Sequence, residues 1–129
     1  MTDVTTLIPL LVCADIPATH DYLVDVFGFE AGGVERDGDG NPVHGEVRGR
    51  DGALWLHAVS PAHELASPRG TAEQQGGLVV FVDDVDAHYA KAKQAGAKLD
   101  SEPTDQPYGQ REYGARDPEG HRFWFATRL

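Results

Sequence analysis

The chain has 129 residues, of which 40% are hydrophobic and 25% charged, enough for one globular domain and too apolar for a disordered chain. Eleven Lys and Arg against twenty-one Asp and Glu leave a net charge of −10. Such a surface repels phosphate backbones and anionic lipid, so neither nucleic acid nor a membrane is an expected partner, and a cationic or neutral ligand suits it better.

In chain order, residues 7–13 form an apolar run of strand length. Asp15 follows as a helix N-cap, Pro17 is tolerated in the first turn, and Tyr22, Leu23, Val26 and Phe27 recur at helical spacing until Gly28 stops the helix. Strand-like segments come next near 29–35, 43–49 and 53–59. The turn Asp37-Gly38-Asp39-Gly40-Asn41-Pro42 joins the first two. Glu35, Asp37, Asp39, Gly40 and Glu46 match the spacing of a calcium loop, but strand-like flanks make the segment a hairpin turn. A stretch rich in Ser, Pro, Gly, Ala and Gln, about 61–76, reads as a linker between module one (about 5–60) and module two (about 77–128). The second module opens with the strand 78–82, takes Asp83 or Asp84 as cap, carries Val85, Tyr89 and Ala92 on its helix, and stops at Gly96. Three more strand segments follow near 97–102, 108–115 and 121–127.

This is a duplication. Asp15 and Asp83, Gly28 and Gly96, and Gly52 and Gly120 are each 68 residues apart. The expected fold is α+β, with two tandem βαβββ modules forming a curved mixed sheet around a central cleft, the usual place for a small-molecule site. The single cysteine, Cys13, excludes an internal disulfide and a thiolate zinc cluster, and it reads as a core residue. No apolar run reaches the roughly 18 residues that span a bilayer, and the first residues lack the basic region of a signal peptide, so the expected location is the cytoplasm.

The layout resembles the vicinal oxygen chelate superfamily of glyoxalase I, extradiol dioxygenases and bleomycin-resistance proteins. The resemblance rests on Val12-Cys13-Ala14-Asp15-Ile16, on Val26-Phe27-Gly28-Phe29 and on Val82-Asp83-Asp84-Val85. Above all it rests on Tyr108-Gly109-Gln110-Arg111-Glu112-Tyr113-Gly114, continuing through Asp117-Pro118-Glu119-Gly120 to Phe123-Trp124-Phe125. That last segment is most similar to the antibiotic-binding members. Metal-dependent members hold a divalent ion with one donor from each of four strands. The resemblance places those donors at Ile8, Leu56, Leu78 and Trp124, all apolar here. No metal and no cofactor are expected.

Strand alternation from these positions puts Ile8, Leu10 and Val12, Leu54, Leu56 and Ala58, Leu78, Val80 and Val82, and Arg122, Trp124 and Ala126 on the ligand face. It sends Trp55, Phe81, Phe123 and Phe125 beneath the helices. The expected site is an apolar trough with Trp124 and Arg122 at its end. The resemblance adds Tyr108, Arg111 and Glu112, with Arg111 equally able to pair with an acidic neighbour. Trp55 is a second-line contact, and His57 joins the site if its strand slips by one residue. His44 and Glu46 share one strand face, His121 borders the site, and His20, His63 and His88 read as surface residues.

By resemblance, the expected function is that of a homodimer sequestering a bulky aromatic or peptide-like natural product as self-resistance, without turnover. The alternatives are a metal-independent lyase or isomerase using Glu112, His121 or His57 as general acid or base, and a metalloenzyme using His44, Glu46 and His57.

Overall fold

The computed structural model describes residues 2–129. Its elements repeat one order twice. In the first unit β1 (Leu10–Cys13) leads to α1 (Ile16–Asp25), β2 (Glu30–Arg36), β3 (Pro42–Arg48) and β4 (Ala53–Ala58). In the second, β5 (Leu78–Phe81) leads to α2 (Val85–Gln94), β6 (Lys98–Leu99), β7 (Thr104–Gln106), β8 (Gln110–Arg116) and β9 (Arg122–Arg128). Among the described residues, two α-helices and nine strands in two mixed sheets make this the tandem βαβββ α+β fold that the duplication predicts. The strand orders are β1-β4-β3-β2 and β5-β9-β8-β6, with β7 also on β8. The third strand segment of the second module is thus split into the short β6 and β7. Contacts divide the chain into two compact units: residues up to Val24 with Gly28–Ser67, and Asp25–Phe27 with Pro68–Leu129.

Local signals act where the sequence places them. Asp15 Oδ1 accepts from the Ala18 N–H at 3.0 Å, and Asp84 Oδ1 from the Ala87 N–H at 3.1 Å. Each carboxylate satisfies a helix donor that otherwise has no partner. Gly28 and Gly96 end the two helices at φ +81° and +83°, a region that costs a side chain energy. At the hairpin, Asp37 Oδ1 accepts from the Asp39 and Asn41 N–H groups, both at 2.9 Å, which is turn chemistry rather than a cation loop.

The repeat, however, runs at 69 residues in most elements. The true second cap is Asp84, not Asp83, 69 residues from Asp15. The faces agree: buried Leu54 and Leu56 stand 69 residues before buried Phe123 and Phe125, and exposed Leu10 stands 69 before exposed Val79. The two glycines and the strands β3 and β8 keep the 68-residue spacing, since Glu46 pairs with Trp55 and Gly114 with Trp124. Strand side chains alternate with period two, so one residue of offset exchanges the faces.

The helix-facing side of the first sheet therefore carries Cys13, Leu54, Leu56 and Val47, all buried. Gly45 lies under α1, where an added Cβ would meet the Ile16 side chain at 3.0 Å. In the second unit Phe123, Phe125, Tyr113 and Ala115 form the buried layer, joined by Phe27 from the end of α1. The Phe27 ring centroid is 4.8 Å from that of Phe125 and 5.5 Å from that of Phe123.

His20 and His88 are not surface residues. Buried His20 accepts the Gly33 N–H at Nε2, at 3.2 Å, and donates from Nδ1 to Asp21. His88 donates from Nε2 to the Phe27 carbonyl at 2.7 Å, which leaves Nδ1 to accept the Tyr113 O–H at 2.6 Å. Both ring nitrogens are satisfied in the neutral form, and burial, with Lys91 nearby, lowers the His88 pKa against the opposing pull of the Phe27 carbonyl. The unfolded chain protonates His88 at its ordinary pKa near 6.5, above the folded value. This contribution to stability is therefore complete above that pH and is lost as pH falls toward the folded pKa. Tyr113→Phe strands Nδ1 as a half-buried acceptor and is expected to cost about 1–2 kcal/mol in urea unfolding at pH 8. A cost below about 0.5 kcal/mol would contradict this account.

Candidate functional site

The face of each sheet turned away from its own helix carries the residues available for a ligand. On the first sheet this face holds Leu10, Val12, His44, Glu46, Trp55 and His57. Trp55 is 38% exposed and Leu10 44%. The Trp55 indole N–H donates to Glu46 Oε1 at 2.8 Å, and Arg48 Nε donates to Oε2 at 2.8 Å. These two bonds, the indole first, hold the Glu46 carboxyl below its ordinary pKa. The His44 ring stands edge-on to Trp55 with centroids 5.1 Å apart, directly opposite His57 in the register.

On the second sheet the same face holds Val79 and Phe81 from β5, Arg122, Trp124 and Arg128 from β9, and Gln110, Glu112, Gly114 and Arg116 from β8. Val79 is 55% and Phe81 45% exposed. The Arg122 guanidinium lies 4.7 Å from the Trp124 ring centroid and that of Arg128 4.1 Å from the Phe81 centroid, so each cation covers an aromatic face. The Trp124 ring crosses the start of β5 where only glycine fits. A Cβ on Gly77 would sit 2.7 Å from the indole and collide with the Arg122 carbonyl. Tyr108, at the loop before β8, donates its O–H to Glu112 Oε1, which also accepts from Gln110 Nε2 at 3.1 Å. Glu112 thereby raises the Tyr108 pKa.

The sequence-derived contacts divide accordingly. Trp124, Arg122, Tyr108 and Glu112 come together on the second sheet's open face, and Trp55 and His57 on the first sheet's. Leu56, Leu78 and Arg111 do not. Leu56 is fully buried on the helix side, and Leu78 pairs with Phe123 on the corresponding side. Arg111 pairs with Thr127 and reaches Asp86 of α2 and Asp105, each at 3.1 Å. Trp55 and Phe81, expected under the helices, face outward instead. The one-residue difference in repeat length accounts for Leu56, Leu78, Trp55 and Phe81 together. His121 is buried, its Nδ1 donating to Asp117 Oδ2 at 2.8 Å, so it locks a turn rather than bordering the face. Gly77, Val79 and Arg128 were not legible as site residues. Only the Gly76-Gly77 pair before β5 hinted at a close approach.

The donor set does not fit the family's divalent ion. Even with the faces corrected, the outward positions are Leu10, Trp55, Val79 and Trp124, none of which is a ligand for a hard or borderline cation. His57 Nδ1 is committed to the Ala58 carbonyl at 2.7 Å, and Glu46 to Trp55 and Arg48. Among the described residues no three His, Cys, Asp or Glu side chains gather as ligands. No helix among them is long and apolar enough to cross a membrane.

Each βαβββ unit thus leaves one sheet face outward, carrying the aromatic and cationic side chains described above. The Glyoxalase/Bleomycin resistance protein/Dioxygenase superfamily profile matches residues 5–125, and the chain belongs to that superfamily. Curated protein sequences yield no match. Among solved structures it is similar to TioX from Micromonospora sp. ML1, with 27% identity, a TM-score of 0.74 and coverage of 98% of this chain and 100% of that one. It also shares its fold with TnmS3, an antibiotic binding protein from Streptomyces sp. CB03234. There the identity is 24%, the TM-score 0.75 and the coverage 100% of this chain and 99% of that one. The bleomycin-binding protein of Streptomyces verticillus, solved with copper(II)-bleomycin, aligns at 24% identity and TM-score 0.69 over 100% of both chains.

Proposed function

We propose that the chain is a binding protein that sequesters a bulky aromatic or peptide-like antibiotic or related natural product, in the cytoplasm, as a homodimer and without a metal. The observation that carries this reading is the second sheet's outward face, where Trp124, Val79 and Phe81 present apolar surface beside the polar group of Tyr108 and Glu112. Covering such a face stabilises a complex by roughly 25 cal/mol per Å² of apolar area, and stacking on an aromatic adds about 0.5–1.5 kcal/mol. The antibiotic-binding neighbours support the ligand class. The candidate acids and bases support binding over turnover: Glu112 is engaged by Tyr108 and Gln110, and His121 by Asp117.

Calorimetric titration with copper(II)-bleomycin and other aromatic peptide antibiotics tests the reading, with mass spectrometry of the compound after long incubation. The expected result is saturable binding of at least one compound, recovered unaltered. Trp124→Ala is expected to weaken that binding at least tenfold, or about 1.4 kcal/mol. Conversion of the compound would establish an enzyme, unchanged affinity in Trp124→Ala would move the site elsewhere, and stoichiometric zinc, iron or manganese in purified protein would overturn the metal-free reading.

A further inference from the structure

We infer that the ligand of the second sheet's outward face carries an aromatic carboxylate, received by Arg122 beside the Trp124 indole. This rests on the reading above that the face binds flat hydrophobic molecules, and it adds the charge such a molecule bears.

The whole chain carries −10, but this face does not share that sign. Arg122, Arg128 and Arg116 lie on it by register, and Lys98 is the partner of Arg116 on β6. Two carboxylates face these four cations. Asp100, just after β6, lies 3.2 and 3.3 Å from Arg116 Nε through its two oxygens, and Glu112 sits opposite Ala126. Arg116 is held at a second point, its Nη1 donating to the Ala72 carbonyl at 3.0 Å.

Arg122 is not. Its Nε is 3.5 Å from Asp100 Oδ2, beyond good hydrogen-bond length, and that buried nitrogen makes no hydrogen bond. One carboxylate thus serves two guanidiniums, hydrogen-bonding Arg116 and meeting Arg122 only as a longer ion pair. The Arg122 side chain keeps 30% of its surface exposed while lying on the indole. Because Nε is buried, a ligand carboxylate meets the exposed remainder of the guanidinium, which is already flattened against an aromatic ring and loses little freedom on that contact.

The polarity of the face sets the orientation. Glu112 is bonded to neutral donors, Tyr108 and Gln110, rather than to a cation, and a carboxylate repels an anion from that end. The carboxylate belongs at the Arg122 end, with the ring system across Trp124, Val79 and Phe81.

Three probes of one shape and different charge test this: 2-naphthoate, methyl 2-naphthoate and 2-naphthylmethylammonium, titrated at pH 7.5 in low salt by ligand-observed NMR. Wild-type protein is expected to bind naphthoate at least fivefold tighter than the ester and the ammonium weakest. Raising the salt should erode the naphthoate advantage, because exposed charges are screened within about 10 Å at 0.1 M. Arg122→Gln should erase the difference between naphthoate and the ester. Equal or tighter binding of the ester or ammonium by wild-type protein overturns the inference, and this comparison needs no variant to fold. Unchanged naphthoate binding in Arg122→Gln overturns it as well. If the three probes bind equally and Trp124→Ala abolishes all three, the carboxylate alone is refuted and the aromatic site stands. If none binds, both fall.

Discussion

Replacing Phe27 with alanine is expected to lower the stability of the fold by about 3–5 kcal/mol in urea or thermal unfolding. Phe27 is 3% exposed, and its ring packs against Phe123 and Phe125, the fully buried side chains at the centre of the second unit. Those two rings stack on each other at 5.8 Å with an interplanar angle of 5°, so the site has rigid walls that do not collapse easily into a void. The cost of a large-to-small change rises with the cavity left behind, which places this substitution at the upper end. The Phe27 carbonyl also takes the His88 Nε2–H, so a shift of this residue disturbs the polar contact as well as the packing. Phe27→Leu fills most of the volume and should cost clearly less. An alanine variant within about 1 kcal/mol of wild type would show that the ring is not part of this core.

Asp117→Ala is the second large effect, expected at about 3 kcal/mol. The Asp117 carboxylate is 4% exposed and organises the whole turn between β8 and β9. Its Oδ1 accepts from the N–H groups of Glu119, Gly120 and His121, each at 3.0 Å, while Oδ2 accepts from His121 Nδ1. Hydrogen bonds to a charged acceptor contribute about 1.5–3 kcal/mol each, and donors left unpaired inside a protein add a desolvation penalty. Contributions within one turn are not additive, which keeps the total near the stated figure. The turn also places Glu119, whose side chain is fully buried and ion-paired with Arg69 at 2.7 Å. Asp117→Asn retains one acceptor oxygen for the backbone while disturbing the His121 contact, and about half the loss is expected. Chemical unfolding of the two variants measures this, and an alanine variant less affected than the asparagine would refute the account.

The fold and the ends of its helices were legible in the sequence because their signals are local. Asp15, Gly28 and Gly96 act through their own neighbours in the chain, and the Asp37 turn closes on itself. The candidate site was legible only in part. Trp124, Arg122, Tyr108 and Glu112 share a face because β8 and β9 follow the alternation read from the final motif. Leu56 and Leu78 were misplaced because their faces were carried over from a 68-residue repeat, whereas the caps Asp15 and Asp84 stand 69 apart. Two adjacent aspartates, Asp83 and Asp84, are equivalent to a pattern, and only the folded helix start distinguishes them.

By itself the sequence determined a duplicated α+β chain and most of its helix limits, since these follow from residue type and near-neighbour geometry. The tertiary structure decided which side of each strand meets water, that Phe27 serves the second core, and that His20 and His88 lie inside. It also decided that an acidic chain gathers guanidiniums around Trp124. Those outcomes depend on register and on which side chains meet across strands distant in sequence, and a one-residue change in spacing reverses a strand's faces while leaving its composition untouched.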